Sequence, residues 1–410
     1  MSKTPTARPG VAVAQHRLLL LGVLAVQLVG DTALAPYFPQ LFRRLFDLEE
    51  LAATGTYLWV CRVTGLLALP LWAMAARRVS PQRLIVWGLW LSAALDLLLG
   101  LAPTWTAFTV LSAAHVAASA SLALAYPVLV AACGGQGMSG VRSYVALFHL
   151  TMLGSAAIGA LVVAMPEPRL GISAFAVVDA TLALAAGRLW RGPARFAAPE
   201  PGGGARGPWR TVWQGVLLVG LLAGAVELGA GVVRPFFTEY ALHEGLSLSA
   251  AAAVFAVPSV AALLVLPAAS ALHRRLGRRL LVVGAVVAAA GLTVQVVASD
   301  LVVLALGRAV FGAGLGMGQV ALDLAVFAAV GTAGPGFIAV EWSRTAALVL
   351  IPVLATGAAS LSLAAPLAVG AAAFALTAVL AALGLRPAGQ QRPTEQPSNP
   401  EVDLAPDPIR

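Results

Sequence analysis

Charge is scarce in this sequence. Only 11% of its 410 residues are charged, whereas a water-soluble globular protein carries about 25%. That scarcity excludes a fold with an ordinary solvated surface. Cysteine is nearly absent too. Cys61 and Cys133 stand in or beside different apolar runs, which gives no disulfide framework and no metal spacing. No phosphate-cradling glycine loop, no His/Cys metal cluster and no nucleophile elbow occurs. A cofactor, an ATP-driven pump and an integral-membrane enzyme are therefore not expected. No cleavable signal is expected either, because Met1–His16 is polar and the first apolar run continues too long for a signal core.

What the sequence does have is apolar length. Hydrophobic residues make up 60% of it and mean hydropathy is +0.88. A helix needs about 20 apolar residues to cross a bilayer. Twelve stretches qualify as spans, at about 17–40, 52–75, 83–102, 105–132, 143–164, 169–188, 212–238, 249–272, 280–298, 301–326, 336–358 and 364–385. Between the sixth and seventh lies the longest polar interruption, 188–211, with five arginines, four prolines and Gly202-Gly203-Gly204. No regular element runs through its middle. The expected organisation is a short N-terminal segment (1–16), a six-helix bundle (17–187), a cytoplasmic linker (188–211), a second six-helix bundle (212–386) and a disordered tail (387–410).

Lysine and arginine set the orientation. With the N-terminus inside, the inner side collects Arg77, Arg78, Arg142, the linker arginines, Arg274, Arg275, Arg278 and Arg279. The outer side receives only Arg43, Arg44 and Arg169. The positive-inside rule then places both termini in the cytoplasm of a cell-membrane protein. The net charge of +8 belongs to these short loops and implies no nucleic-acid partner.

The two halves echo one another. Gly30-x5-Pro36-Tyr37-Phe38 returns as Gly229-x5-Pro235-Phe236-Phe237, and Pro70-x6-Arg77-Arg78 returns as Pro267-x6-Arg274-Arg275. The offsets nearly agree (229 − 30 = 199; 267 − 70 = 197). An even number of spans per half makes the repeats parallel, and proteins so built bind solutes near the midplane between the halves.

With twelve spans, a 6+6 repeat and a long basic central loop, residues 15–386 resemble the major facilitator superfamily. The family's loop motif after the second helix is degenerate here. The first copy keeps Arg77 and Arg78; the second reads Arg274-Arg275-Leu276-Gly277-Arg278. Arginine replaces the motif's Asp in both copies, at Arg77 and Arg274. The family's helix-4 pattern of Arg before a glycine run appears in span 10, from Arg308 to Gly318, while span 4 has His115-x3-Ser119 at the matching positions. The end of span 1, Asp31 to Pro39, is similar to the drug/proton antiporter branch. The resemblance implies an all-α membrane protein of two parallel-repeat six-helix bundles. It implies alternating access, with export of a small lipophilic compound, drug or secreted metabolite in exchange for protons. Proton-coupled uptake stays open, and so does a non-transporting receptor or assembly partner. The partners expected are a small solute, protons and lipid, around a monomer.

Charges inside spans carry the chemistry, since each costs about 2.5–3.5 kcal/mol at the bilayer centre on insertion scales. Asp31 and Arg62 lie at similar depth on antiparallel spans, which suggests an ion pair or a titrating carboxylate. Glu227 has no base within a turn or two in sequence, and that makes it the expected proton carrier. Histidine's intrinsic pKa lies near neutrality, which makes His115 a candidate for proton coupling, and Arg308 suits an anion or Glu227. The resemblance puts Asp31, Glu227, His115 and Arg308 on spans 1, 7, 4 and 10 around the cavity, where the four are expected to converge. Tyr37, Trp59, Tyr126, Phe148, Phe236 and Trp342 are expected to line it. Asp96 and Asp179 lie on spans the resemblance puts outside the cavity, so interhelical hydrogen bonding or a protonated state is expected of them. Arg234 is a further intramembrane base. Asp323, Glu341 and Arg344 suit an inner gate or an interfacial anchor.

Overall fold

A computed structural model describes residues 9–124, 138–190, 209–330 and 335–384. At some positions within these ranges, Asp31 among them, it describes the backbone alone. Most of the linker, the tail, Cys133 and Tyr126 lie outside the described residues. The helices of the first half are α1 (Pro9–Thr32), α2 (Phe38–Phe46), α3 (Leu51–Ala75), α4 (Pro81–Gly100), α5 (Trp105–Ser119), α6 (Met138–Ala164) and α7 (Pro168–Leu189). The second half repeats the plan with α8 (Trp209–Gly231), α9 (Phe237–His243), α10 (Leu248–Leu276), α11 (Arg279–Val296), α12 (Leu301–Val330), α13 (Pro335–Ala359) and α14 (Ala365–Gly384). Among the described residues, twelve helical stretches are long and apolar enough to cross a membrane.

The first and seventh spans are each broken where the sequence suggested continuity. Proline lacks an N–H and its ring crowds the carbonyl four residues back. Pro36 therefore stops α1 at Thr32, and Pro235 stops α8 at Gly231. The chain restarts identically in both halves. Tyr37 and Phe236, which cap α2 and α9, share φ −117° and ψ 2°. The fourth span also departs from a plain helix, ending at Ser119 and tightening into a 3₁₀ turn over Ala120–Leu124.

Each half has its own core. One is the aromatic group of Phe38, Phe42, Tyr57 and Phe108; the other is a larger cluster that includes Phe236, Phe237, Phe311 and Phe374. Between the halves α3 packs on α13 and α6 on α10. At the end away from the linker, Glu239 of α9 accepts from Gln40 Nε2 and from Arg43, each at 2.8 Å. Gln40 and Glu239 are 199 residues apart, the repeat offset, so equivalent positions meet across the pseudo-twofold axis. At the linker end Val141 and Val145 of α6 pack with Leu266, Ala269 and Val320, and Arg142 donates to Ser270 at 3.2 Å. The halves thus touch at both ends, with cavities between.

The glycine run of α12 lets that helix sit between two others. A Cβ on Gly312 would lie 2.2 Å from the Pro258 carbonyl of α10, and one on Gly314 2.3 Å from the Ala288 nitrogen of α11. Arg308, a turn before, is only 4% exposed. Its Nε donates to the Val254 carbonyl at 3.2 Å and its Nη2 to that of Phe255 at 2.8 Å. Val254 is the residue whose carbonyl loses its helical partner to Pro258. Its guanidinium also lies 4.0 Å from the Phe237 ring centroid. Arg308 is therefore committed to the carbonyls beside Pro258 inside the continuous helix α10, a use of side chains that membrane helices require where proline frees a backbone group.

Two outcomes follow for folded yield and thermal unfolding of the purified chain. Gly312→Val should destabilise by at least the ~1–3 kcal/mol of an overpacked core, while Gly318→Ala, whose new Cβ meets nothing nearer than 3.9 Å, should unfold like the wild type. Arg308→Leu should lower the unfolding midpoint, because an orphaned buried carbonyl costs about 1–3 kcal/mol.

Candidate functional site

The largest described cavity, about 110 Å³, lies inside the first half among α1, α3, α4, α5 and α7. Its greasy wall comes from residues such as Leu58, Leu99, Phe108 and Phe175. Its polar wall includes Gln27, Arg62, Asp96, His115 and Asp179. His115 Nε2 stands 3.2 Å from Asp96 Oδ1. One ligating atom each of Asp96, His115 and Asp179 lies within 4.8 Å of the other two. Asp96 and Asp179 are 6% and 5% exposed, so neither carboxylate can be neutralised by bulk water. Two carboxylates this close repel when both are charged. A proton on the cluster, a protonated imidazole or the Arg62 guanidinium relieves that repulsion. The same three groups offer a carboxylate–imidazole–carboxylate donor set to a divalent cation, and the positive charge of Arg62 on the same cavity opposes such an ion.

Asp96 and Asp179 stay off the two cavities between the halves, as expected, and Asp96 makes its interhelical contact with His115 of α5. The expectation did not include the cavity inside the first half, to whose wall the packing of α4 on α7 brings both acids. His115 joins them in its own half rather than meeting Glu227 and Arg308. Arg308 belongs to the carbonyls beside Pro258 in α10. Glu227 is not without a cation, since the charge of Arg234, one helix break further along, acts on it, and Glu341 is also within electrostatic reach. Span numbering alone could not reveal this, because in space the break after Gly231 sets where Arg234 lies. The side chain of Asp31, and with it the proposed pair with Arg62, lies outside the described residues.

Two smaller cavities of about 40 Å³ each lie at and beside the meeting of the halves. The first takes Thr32, Arg62 and Ser155 from the first half, and Arg234, Phe255 and Ile351 from the second. Thr32 and Ser155 hydroxyls are 2.9 Å apart. The second cavity runs past Arg234 to Phe148, His149 and Arg308. Arg234 lies 5.7 Å from the Phe148 ring centroid, and His149 Nε2 is 2.9 Å from Gln319 Oε1 across the interface. Arg62 is a wall of the first-half cavity and of the interfacial one; Arg234, Met152 and Phe255 are walls of both interfacial ones. The cavities therefore form a series joined by arginines.

The aromatic expectations divide. Phe148 lines an interfacial cavity. Tyr37 is fully buried, with its hydroxyl donating to the Ala156 carbonyl at 2.9 Å, and Phe236 is 1% exposed within the second core. These two serve packing at the repeated helix break instead of a cavity surface. Trp59 and Trp342 are 43% and 51% exposed and present much of their rings outside the packed interior. At the linker end Asp323 accepts from Arg344 at 2.6 Å, with Glu341 3.8 Å from the same guanidinium, which ties α12 to α13. The loop arginines Arg77, Arg78, Arg274, Arg275 and Arg278 are exposed, and Gly277 takes φ +55° to end α10.

No protein-family profile matches the chain, and no curated protein sequence does. Among solved structures, the crystal structure of a variant of the nucleoside transporter NupG is similar, with a TM-score of 0.66 at 12% identity, over 91% of this chain and 100% of that one. At that identity the likeness is one of fold, and the fold is the two-bundle, twelve-helix arrangement of the major facilitator type.

Proposed function

We propose that this protein is a secondary transporter that moves a small organic solute by alternating access, with Asp96, His115 and Asp179 as its proton-carrying site. The observation that carries the reading is the convergence of two buried carboxylates and a half-buried imidazole on one cavity. A bundle that only had to fold gains little from such a group, because each charge costs free energy in lipid. Arg62 supplies the link to the solute. It faces both the cluster's cavity and the cavity between the halves. When the carboxylates are charged they compete for Arg62; when the cluster takes up a proton, Arg62 is released toward the interface. Proton and solute occupancy are then coupled through one guanidinium.

Export by proton exchange is supported by the similarity of the Asp31–Pro39 stretch to the antiporter branch. A second reading, proton-coupled uptake, is supported by the shared position of Arg62, since a solute that needs Arg62 binds best when the cluster is protonated. In either case the positive-inside rule supports a cytoplasmic arginine-rich end in a cell-membrane protein, so a reporter fused after Arg206 should register inside; an outside signal would overturn that orientation.

Flux of a labelled panel of nucleosides, aryl carboxylates and neutral amides should be measured in proteoliposomes with and without an imposed pH gradient. The wild type should respond to the gradient for at least one compound. Asp179→Asn and Asp96→Asn should abolish the response while keeping downhill exchange, and Glu227→Gln should keep both. A full gradient response in Asp179→Asn, with its loss in Glu227→Gln, would return the proton to Glu227.

A further inference from the structure

We infer that the cavity between the halves is a site for an organic anion, its charged head held between Arg62 and Arg234 and its apolar body against Met152, Phe255 and Ile351. The inference deepens the transport reading and rests on it for physiological meaning, though not for its test. Arg62 and Arg234 come from opposite halves, α3 and the break after α8, and face one small cavity. Neither makes an ion pair among the described residues, while Asp323, Glu239 and Asp96 each have a basic partner. The two guanidinium charges act on each other, and that of Arg308 acts on Arg234. On the other side stands Glu227, which acts on Arg234. Asp31, on the same helix as Thr32, has its side chain outside the described residues. Asp31 and Glu227 against the three arginines leave one positive charge; the Asp96–Asp179 cluster across Arg62 offsets it when ionised and leaves it unmet when protonated. In a region without bulk water, like charges held together call for a counter-charge.

The rest of the lining selects for an anion with an apolar body rather than a small inorganic ion. Around the arginines the wall is made of Leu58, Met152, Phe255, Leu348 and Ile351, with the Thr32 and Ser155 hydroxyls as the other polar groups. Guanidinium binds a carboxylate or phosphate through paired N–H donors, and it does so best where water is excluded. About 40 Å³ is room for a carboxylate head. Met152 and Phe255 wall both this cavity and the neighbouring one that reaches Phe148. An unbranched Met can move aside, and an aryl body then has a continuous slot past Arg234, stacked near the ring already under that guanidinium. Because the two arginines belong to different halves, the anion bridges the interface and neutralises the repulsion across it.

The test is equilibrium binding to the full chain in detergent, read as a shift of the thermal unfolding midpoint. The probes are naphthalene-2-carboxylate and its neutral carboxamide. The carboxylate should raise the midpoint saturably and the amide should not. Arg234→Gln and Arg62→Gln should weaken carboxylate binding about tenfold or more, the loss expected for a charge-assisted hydrogen bond. Arg234→Lys, which keeps the charge without the fork, should retain part of it, and Glu227→Gln should bind the carboxylate at least as well as the wild type. Equal shifts by both probes, no shift by either, or undiminished carboxylate binding in folded Arg234→Gln would each overturn the inference. If the Gln variants do not fold, the wild-type preference between carboxylate and amide decides it. Carboxylate binding without any gradient-driven flux would sink the transport reading and leave the site; flux of neutral solutes without carboxylate binding would do the reverse.

Discussion

A bilayer interior offers no hydrogen bonds, so each polar group placed there must find its partner within the protein. The arrangement of this chain follows from that constraint. Pro36, Pro235 and Pro258 each free a carbonyl. At Pro258 the carbonyl of Val254 is taken up by Arg308, reached through a glycine-lined approach of α12 to α10. Asp323 is met by Arg344. Once these structural uses are assigned, two groups of intramembrane charge stand out among the described side chains. One is the acid–imidazole cluster of the first half. The other is the arginine pair at the interface, with Glu227 in reach of Arg234.

The halves share a backbone plan and differ in the chemistry hung upon it. Tyr37 and Phe236 start the second helices with the same dihedral angles, and Gln40 meets its repeat mate Glu239 directly. The repeat-matched pair His115 and Arg308 diverge completely. His115 stands against Asp96 beside a cavity, while Arg308 holds the carbonyls beside a proline. A symmetric frame that keeps its titratable groups on one side and its interfacial cations on the axis can separate proton binding from solute binding and still couple them through Arg62.

The proposed coupling needs no long-range pathway. Arg62 touches two adjacent cavities, and a charge change in one alters the electrostatic balance in the other over a short distance of low dielectric. The contacts at the two ends of the interface differ in kind. The Arg43–Glu239 pair is partly exposed, with Arg43 at 41%, and such pairs contribute about 0–1 kcal/mol; beside it Leu51, Leu248 and Ala252 pack on the core of the opposite half. The linker end is held by apolar packing of α6 on α10 and α12.

The sequence by itself determined the membrane setting, the twelve spans and the two-fold repeat, because apolar run length and a constant offset are properties of the chain in one dimension. It also carried the helix breaks, in Pro36 and Pro235, though their effect on two spans was read as continuity. It marked which charges are intramembrane and therefore costly. Only the tertiary structure decided which of them meet. Asp96 and Asp179 are 83 residues apart (179 − 96) and on separate helices, and the packing of α4 on α7 with α5 beside them makes them neighbours of His115. Arg234 reads in sequence as one more base near the end of a span, and the unwound turn after Gly231 carries it to the axis opposite Arg62. Which face of a helix looks inward depends on how neighbouring helices pack, and hydropathy that is nearly uniform around each span leaves no amphipathic stripe to announce it.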